Sequence, residues 1–166
     1  MFRDDGWYSP RTEGQFSLNP HAPKVCSTIQ ERGYFTIVIT NQPDIGRGLM
    51  RAADLELMEV KLKNELQVDL ILTCGHTPEN SCQCRKPQTG LVREACKQLP
   101  IDLKRSLVVG DRASDLVLAN KCGMQPILLR SYQTSDEELA QLTFRYRVIH
   151  SLLDLLSLPE FCGLPL

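Results

Sequence analysis

Four residues crowded into one short stretch, Cys74, His76, Cys82 and Cys84, are the first whose types and spacing could do chemistry. They read C-x-H-x₅-C-x-C, three thiols and an imidazole, the ligand set of a closed tetrahedral structural Zn²⁺ site. One-residue spacings let neighbouring side chains grip one ion from a tight loop, and Gly75, Pro78 and Asn80 supply the turn chemistry. Four protein ligands leave no open coordination position, so such an ion would be structural rather than catalytic. A disulfide or free thiols is the competing reading, against which a reducing cytoplasm and the additional histidine both weigh. The ion's task would be to hold the next residues, Arg85-Lys86-Pro87, in one place. The sequence has seven cysteines, and the other four (Cys26, Cys96, Cys122, Cys162) sit among apolar neighbours as inert core residues.

Two more candidates are Thr40, at the end of an apolar run, and Asp111, after another. Each is weak alone: a strand-end Thr is often a helix cap, and Gly-Asp is often a plain turn. Their meaning depends on the elements that carry them. Strands are expected at Tyr34–Ile39, Val68–Thr73, Ser106–Val109, Pro126–Leu129 and a short Val148–Ile149, the first fully buried. Helical periodicity fills the intervals at about His21–Glu31, Ala52–Leu66, Thr89–Leu99, Ser114–Lys121, Asp136–Leu142 and Ser151–Leu156. Such alternation predicts an α/β fold, a three-layer Rossmann-like parallel sheet with helices on both faces. In a sheet of this kind reactive residues belong at the carboxyl ends of the strands, where Thr40 and Asp111 fall.

A chain of 166 residues is expected to form one domain (1–166, with the metal loop at 74–84) that buries roughly two thirds of its unfolded surface. With 42% apolar and 23% charged residues it has no signature of disorder. A net charge of −1 offers no footprint for nucleic acid or an anionic membrane, so a small polar or anionic metabolite is the expected partner. The metal loop carries only Arg85 and Lys86 as basic residues and no interleaved aromatics, which also disfavours nucleic acid. No apolar run reaches membrane-spanning length and no signal-peptide core is visible, which predicts a cytoplasmic protein, and a monomer is expected.

Taken in order, Ile39-Thr40-Asn41-Gln42, the C-x-H-x₅-C-x-C loop followed at once by Arg85-Lys86-Pro87, and the segment Val108–Asp115 (VVGDRASD) resemble the haloacid-dehalogenase superfamily. More narrowly, they are similar to its capless branch, which contains histidinol-phosphate phosphatase and D-glycero-D-manno-heptose-1,7-bisphosphate phosphatase. The resemblance runs from about Gly6 to Asp154. It implies a Mg²⁺-dependent phosphatase acting through an aspartyl-phosphate on a small phosphorylated metabolite, with no cap domain. Thr40 would bind a phosphate oxygen, Lys86 would offset phosphate charge, Asp111 would ligate Mg²⁺ and Asp115 would support that site. Asn41, Arg47, Arg85 and Arg112 would read the substrate. The segment Asp44–Gly48 resembles the heptose-phosphatase version of its loop, whereas the short metal loop is closer to the histidinol-phosphate enzyme, which leaves both substrates open.

The family opens with an apolar strand ending in D-x-D-G, first Asp the nucleophile, second the general acid/base. Here the opening is Met1-Phe2-Arg3-Asp4-Asp5-Gly6. Aligned on Gly6, Asp5 takes the acid/base position and Arg3 the nucleophile position, and little of the first strand precedes them. Asp4 would point to the opposite face of an extended segment. Three explanations remain open: an altered or truncated start, a degenerate paralogue that binds a phosphorylated ligand without cleaving it, and a slipped loop in which Asp4 serves. A non-enzymatic, zinc-stapled binding module is the alternative from outside the enzymes.

Overall fold

The computed structural model describes residues 9–162, together with the backbone of two short strands ahead of them, β1 (Phe2–Arg3) and β2 (Gly6–Trp7). Asp4 and Asp5 lie outside the described residues, as does the side chain of Arg3. The chain divides into two compact units, the first running to Cys82 and the second beginning at Gln83.

In the first unit, helix α1 (Ala22–Glu31) has proline in its opening turn, where the missing N–H is no loss. Strand β3 (Ile37–Asn41) leads into the single turn α2 (Pro43–Gly46), then helix α3 (Ala52–Leu66) and strand β4 (Leu70–Cys74). β3 and β4 pair in parallel with Thr40 opposite Thr73 and Asn41 opposite Cys74. The sequence-expected strand at Tyr34–Ile39 therefore begins later and runs on through Thr40. Its residues are half-buried rather than fully buried.

The second unit contains helix α4 (Gly90–Gln98), strand β5 (Leu107–Gly110), helix α5 (Ala113–Lys121), strand β6 (Gln125–Leu129), the short helix α6 (Asp136–Ala140) and strand β7 (Arg147–Ile149). Its strands form a parallel sheet in the order β5-β6-β7, with Gly110 opposite Leu128. α5 packs on β5 and β6 and buries Leu116, Leu118 and Ala119 completely, while Ile127 and Leu128 of β6 are 0% and 1% exposed. Each fully buried Leu or Ile contributes about 1.5–3 kcal/mol, so this packing is what holds the carboxyl end of β5 in place. α5 ends where Gly123 adopts φ +69°, with Met124 N–H donating to the Ala119 carbonyl at 2.9 Å and Gly123 N–H to Asn120 at 3.2 Å. That pair of bonds closes the helix as a Schellman motif, and only glycine meets its backbone angle cheaply.

The fold is thus α/β with parallel sheets and packed helices, and no cap domain interrupts the described residues. The described parallel strands fall into sheets of two and three, and the β1–β2 hairpin is antiparallel, a feature the sequence reading does not contain. A second difference lies near the end: Leu152–Ser157 forms a 3₁₀ helix capped by Ser151, followed by helix α7 (Pro159–Cys162). Asp154 accepts from the backbone of His150 and Ser151, which locks this tight turn. No helix among the described residues is long and apolar enough to cross a membrane.

Candidate active site and metal centre

The loop leaving β4 brings Cys74, His76, Cys82 and Cys84 together, with all four ligand atoms within 4.8 Å of one another. Cys74 Sγ lies 3.6 Å from His76 Nδ1 and 3.7 Å from Cys82 Sγ. A tetrahedral ion with Zn–S bonds near 2.3 Å spaces its sulfurs about 3.8 Å apart, so the donor atoms and their separations suit a closed metal site. Cys74, Cys82 and Cys84 are not joined to one another by a disulfide. Local chemistry shapes the loop: Thr77 N–H and Oγ1 both donate to Asn80 Oδ1, at 2.8 and 2.9 Å, across a 3₁₀ turn that starts at Pro78.

The same loop is sewn to the segment after β3. Gln42 N–H donates to the Cys74 carbonyl at 2.8 Å, and Gly46 N–H to the Gly75 carbonyl at 2.9 Å. A Cβ on Gly46 would come within 2.7 Å of that carbonyl oxygen, which explains the glycine. Thr40 and Asn41 are the last two residues of β3, directly before this contact.

Asp44 in α2 is 5% exposed and carries two guanidinium partners, Arg11 through Nε at 2.5 Å and Arg47 through Nη1 at 3.2 Å. Burial pushes its carboxyl pKa upward, but hydrogen bonds from Arg11 and Arg47, aided by their charges, outweigh this and hold it below the ordinary value. The acid thereby fixes Arg47, one of the sequence-expected substrate-reading residues, which keeps a half-exposed side chain. Asp44→Ala leaves two arginines without their counter-charge and should cost about 2 kcal/mol at neutral pH, measured by denaturant unfolding. A folded pKa below the unfolded one means this contribution is complete above about pH 4 and is lost as pH falls through the lower folded value. The variant's acid limb should accordingly be shallower. An unchanged acid limb would contradict the ion-pair assignment.

In the second unit Lys86 Nζ lies 2.7 Å from Asp115 Oδ1, with side chains only 15% and 7% exposed. Asp115 Oδ2 accepts from the Arg112 N–H at 3.3 Å, so both carboxylate oxygens are engaged. Gly110 has no room for a side chain: a Cβ there would overlap the Asp115 carboxylate. Gly90 is similarly required, because its Cβ would collide with the backbone of Gln83 and Cys84 beside the metal loop. Asp111 follows β5 and accepts from Ser131 Oγ on Oδ2 at 3.1 Å, and its other carboxylate oxygen has no hydrogen-bond partner among the described residues. Arg112 donates through Nη2 to Gln133 Oε1 at 2.8 Å.

Lys86, Asp111, Arg112 and Asp115 therefore share the second unit, with Arg85 adjacent to Lys86, while Thr40, Asn41 and Arg47 belong to the first. Asp5 lies outside the described residues. Sequence reading missed Arg11 and Asp44 as the holders of Arg47, and Ser131 as a partner of Asp111. No local signal could have found Ser131, which sits in an ordinary polar turn.

The hard oxygens of Asp111 suit Mg²⁺, which prefers carboxylate and water ligands, whereas Asp115 is committed to Lys86 and a backbone N–H.

The HAD-hydrolase-like family model matches residues 83–155. A probable D-glycero-D-manno-heptose-1,7-bisphosphate 7-phosphatase of Thermoplasma volcanium is 40% identical over 100 residues, covering 57% of this chain and 68% of the relative. The D-glycero-beta-D-manno-heptose-1,7-bisphosphate 7-phosphatase of Pseudomonas aeruginosa is 32% identical over 117 residues, covering 68% and 66%. The chain thus spans about two thirds of the length of these relatives. A histidine biosynthesis bifunctional protein of Blochmanniella floridana is 28% identical over 82% of this chain and 37% of its own. Among solved structures, the D,D-heptose 1,7-bisphosphate phosphatase of B. bronchiseptica, complexed with magnesium and phosphate, superposes with TM-score 0.76 at 28% identity, covering 89% of this chain and 88% of that one.

Proposed function

This chain belongs to the haloacid-dehalogenase-like hydrolases, in the branch of the heptose-bisphosphate phosphatases, and on that premise we propose that it is a phosphomonoesterase for a small phosphorylated sugar. The observation that carries the reading is the buried Lys86–Asp115 pair beside Gly110 and Asp111. An ammonium held by Asp115 would offset the charge of a phosphoryl group, and Asp111, next to Gly110 in the chain, offers a carboxylate suited to a hard cation. Mg²⁺ held by Asp111 would supply further neutralisation of the phosphoryl oxygens. Asp115 orients the Lys86 ammonium, the Thr40 hydroxyl donates to a phosphate oxygen, and Asp5 moves the proton of the leaving oxygen. Asn41, Arg47, Arg85 and Arg112 read the rest of the substrate. The four-ligand loop holds Zn²⁺ and steadies Arg85-Lys86. The chain acts as one catalytic domain, monomeric and cytoplasmic, with neither nucleic acid nor membrane as partner.

A heptose bisphosphate is the favoured substrate, since heptose-bisphosphate phosphatases match, and histidinol phosphate, which the family resemblance also leaves open, is the second. Arg3 favours a different reading, ligand binding without appreciable turnover, because it stands where the family's nucleophile aligns. Phosphate release from heptose 1,7-bisphosphate and from histidinol phosphate, with and without Mg²⁺, separates these readings when run beside equilibrium binding of inorganic phosphate. Lys86→Ala should weaken phosphate binding at least ~10-fold, as expected for removing a charged donor from a partly desolvated site. Undiminished phosphate affinity in that variant would remove Lys86 from the site.

A further inference from the structure

We propose that Ser131 is a positioning residue for Asp111, and that the turn Ser131–Thr134 after β6 presets the carboxylate that meets the metal ion. The inference rests on the reading of Asp111 as a Mg²⁺ ligand. Register makes it possible: β5 and β6 run parallel with Gly110 opposite Leu128, so the chain leaving β6 passes beside Asp111.

The hydrogen-bond pattern leaves each hydroxyl proton one direction. Ser131 Oγ accepts from Gln133 N–H at 3.0 Å, so its own proton goes to Asp111 Oδ2, 3.1 Å away. Thr134 Oγ1 accepts from Ser131 N–H at 3.1 Å and gives its proton to the Asp111 carbonyl at 2.9 Å. Side chain and backbone of Asp111 are thus both held from one turn. That turn also receives Arg112 on the Gln133 side chain, so adjacent metal-binding and substrate-reading residues share one support. A carboxylate with one oxygen already hydrogen-bonded is biased toward offering the other, the single-oxygen ligation that octahedral Mg²⁺ with its retained waters accepts. Groups that orient a ligating side chain typically set metal affinity by 10–100-fold.

The test is titration of the full chain with Mn²⁺ alone, followed by its electron paramagnetic resonance signal, in the natural protein, Asp111→Asn, Ser131→Val and Ser131→Thr. Val and Thr match in shape and differ in the hydroxyl, so a packing defect would affect both alike. Expected is a Mn²⁺ site lost in Asp111→Asn, weakened at least ~10-fold in Ser131→Val and kept within about threefold in Ser131→Thr. Equal affinity in Ser131→Val and Ser131→Thr would overturn the role of Ser131 while leaving Asp111 as ligand. Mn²⁺ binding that survives Asp111→Asn, or is absent from the natural chain, would overturn the metal-site reading and this inference with it.

Discussion

Replacing Arg3 with aspartate and Asp4 with arginine should, on the reading in which Arg3 takes the nucleophile position, raise Mg²⁺-dependent phosphomonoester hydrolysis at least ~10³-fold over the natural chain, the size expected when a nucleophile acting as a unit with its partners is restored. A guanidinium cannot attack phosphorus and stays protonated at any usable pH. The exchange preserves the net charge of the opening segment, so a change in rate reports the position of the carboxylate rather than the sum of charge. Phosphate binding should persist before and after, because Lys86 and its buried partner Asp115 are untouched. Measurement of kcat/KM on heptose 1,7-bisphosphate for both proteins is sufficient. Brisk hydrolysis by the natural chain would mean that the alignment on Gly6 is wrong and that Asp4 or Asp5 is the nucleophile.

Loss of zinc should have the largest effect on stability. The loop between Cys74 and Cys84 is closed by its ligands and by one short 3₁₀ turn, with almost no apolar burial of its own apart from Cys74. Metal binding at such loops is folding free energy, about 10–16 kcal/mol in isolated zinc-finger peptides. Here the flanking β3–β4 pairing retains part of the structure, and a loss of about 4–5 kcal/mol is expected, which lowers Tm by roughly 8–20 °C in a chain of this size. Cys82→Ser and exhaustive chelation should give the same drop, and elemental analysis should find one zinc per natural chain. Because Gly46 is hydrogen-bonded to Gly75, hydrogen exchange should quicken in α2 as well as in the loop. Protein free of zinc with an unaltered Tm and a Cys74–Cys84 disulfide would replace the metal site with an oxidised one.

The metal loop was legible because its ligands are local: Cys74 to Cys84 spans a single turn-rich stretch, and spacing alone brings the donors within reach. The same holds for the β-rich apolar runs that became β4, β5 and β6, where strand propensities act within a few residues. The stretch read as a helix at Ser151–Leu156 shows the limit of periodicity, since the Asp154 carboxylate binding two backbone N–H groups favours the tighter 3₁₀ turn. Tertiary structure decided what the site residues touch. Asp115 carries a motif position readable in the chain, yet only packing shows it 2.7 Å from Lys86, 29 residues away, with Gly110 stripped of a side chain to admit it. Arg11 reaches Asp44 across 33 residues, and Ser131 reaches Asp111 across 20. The residue types that do chemistry are chosen by local sequence. Their protonation, orientation and partners follow from strand register and burial, which no window of neighbouring residues contains.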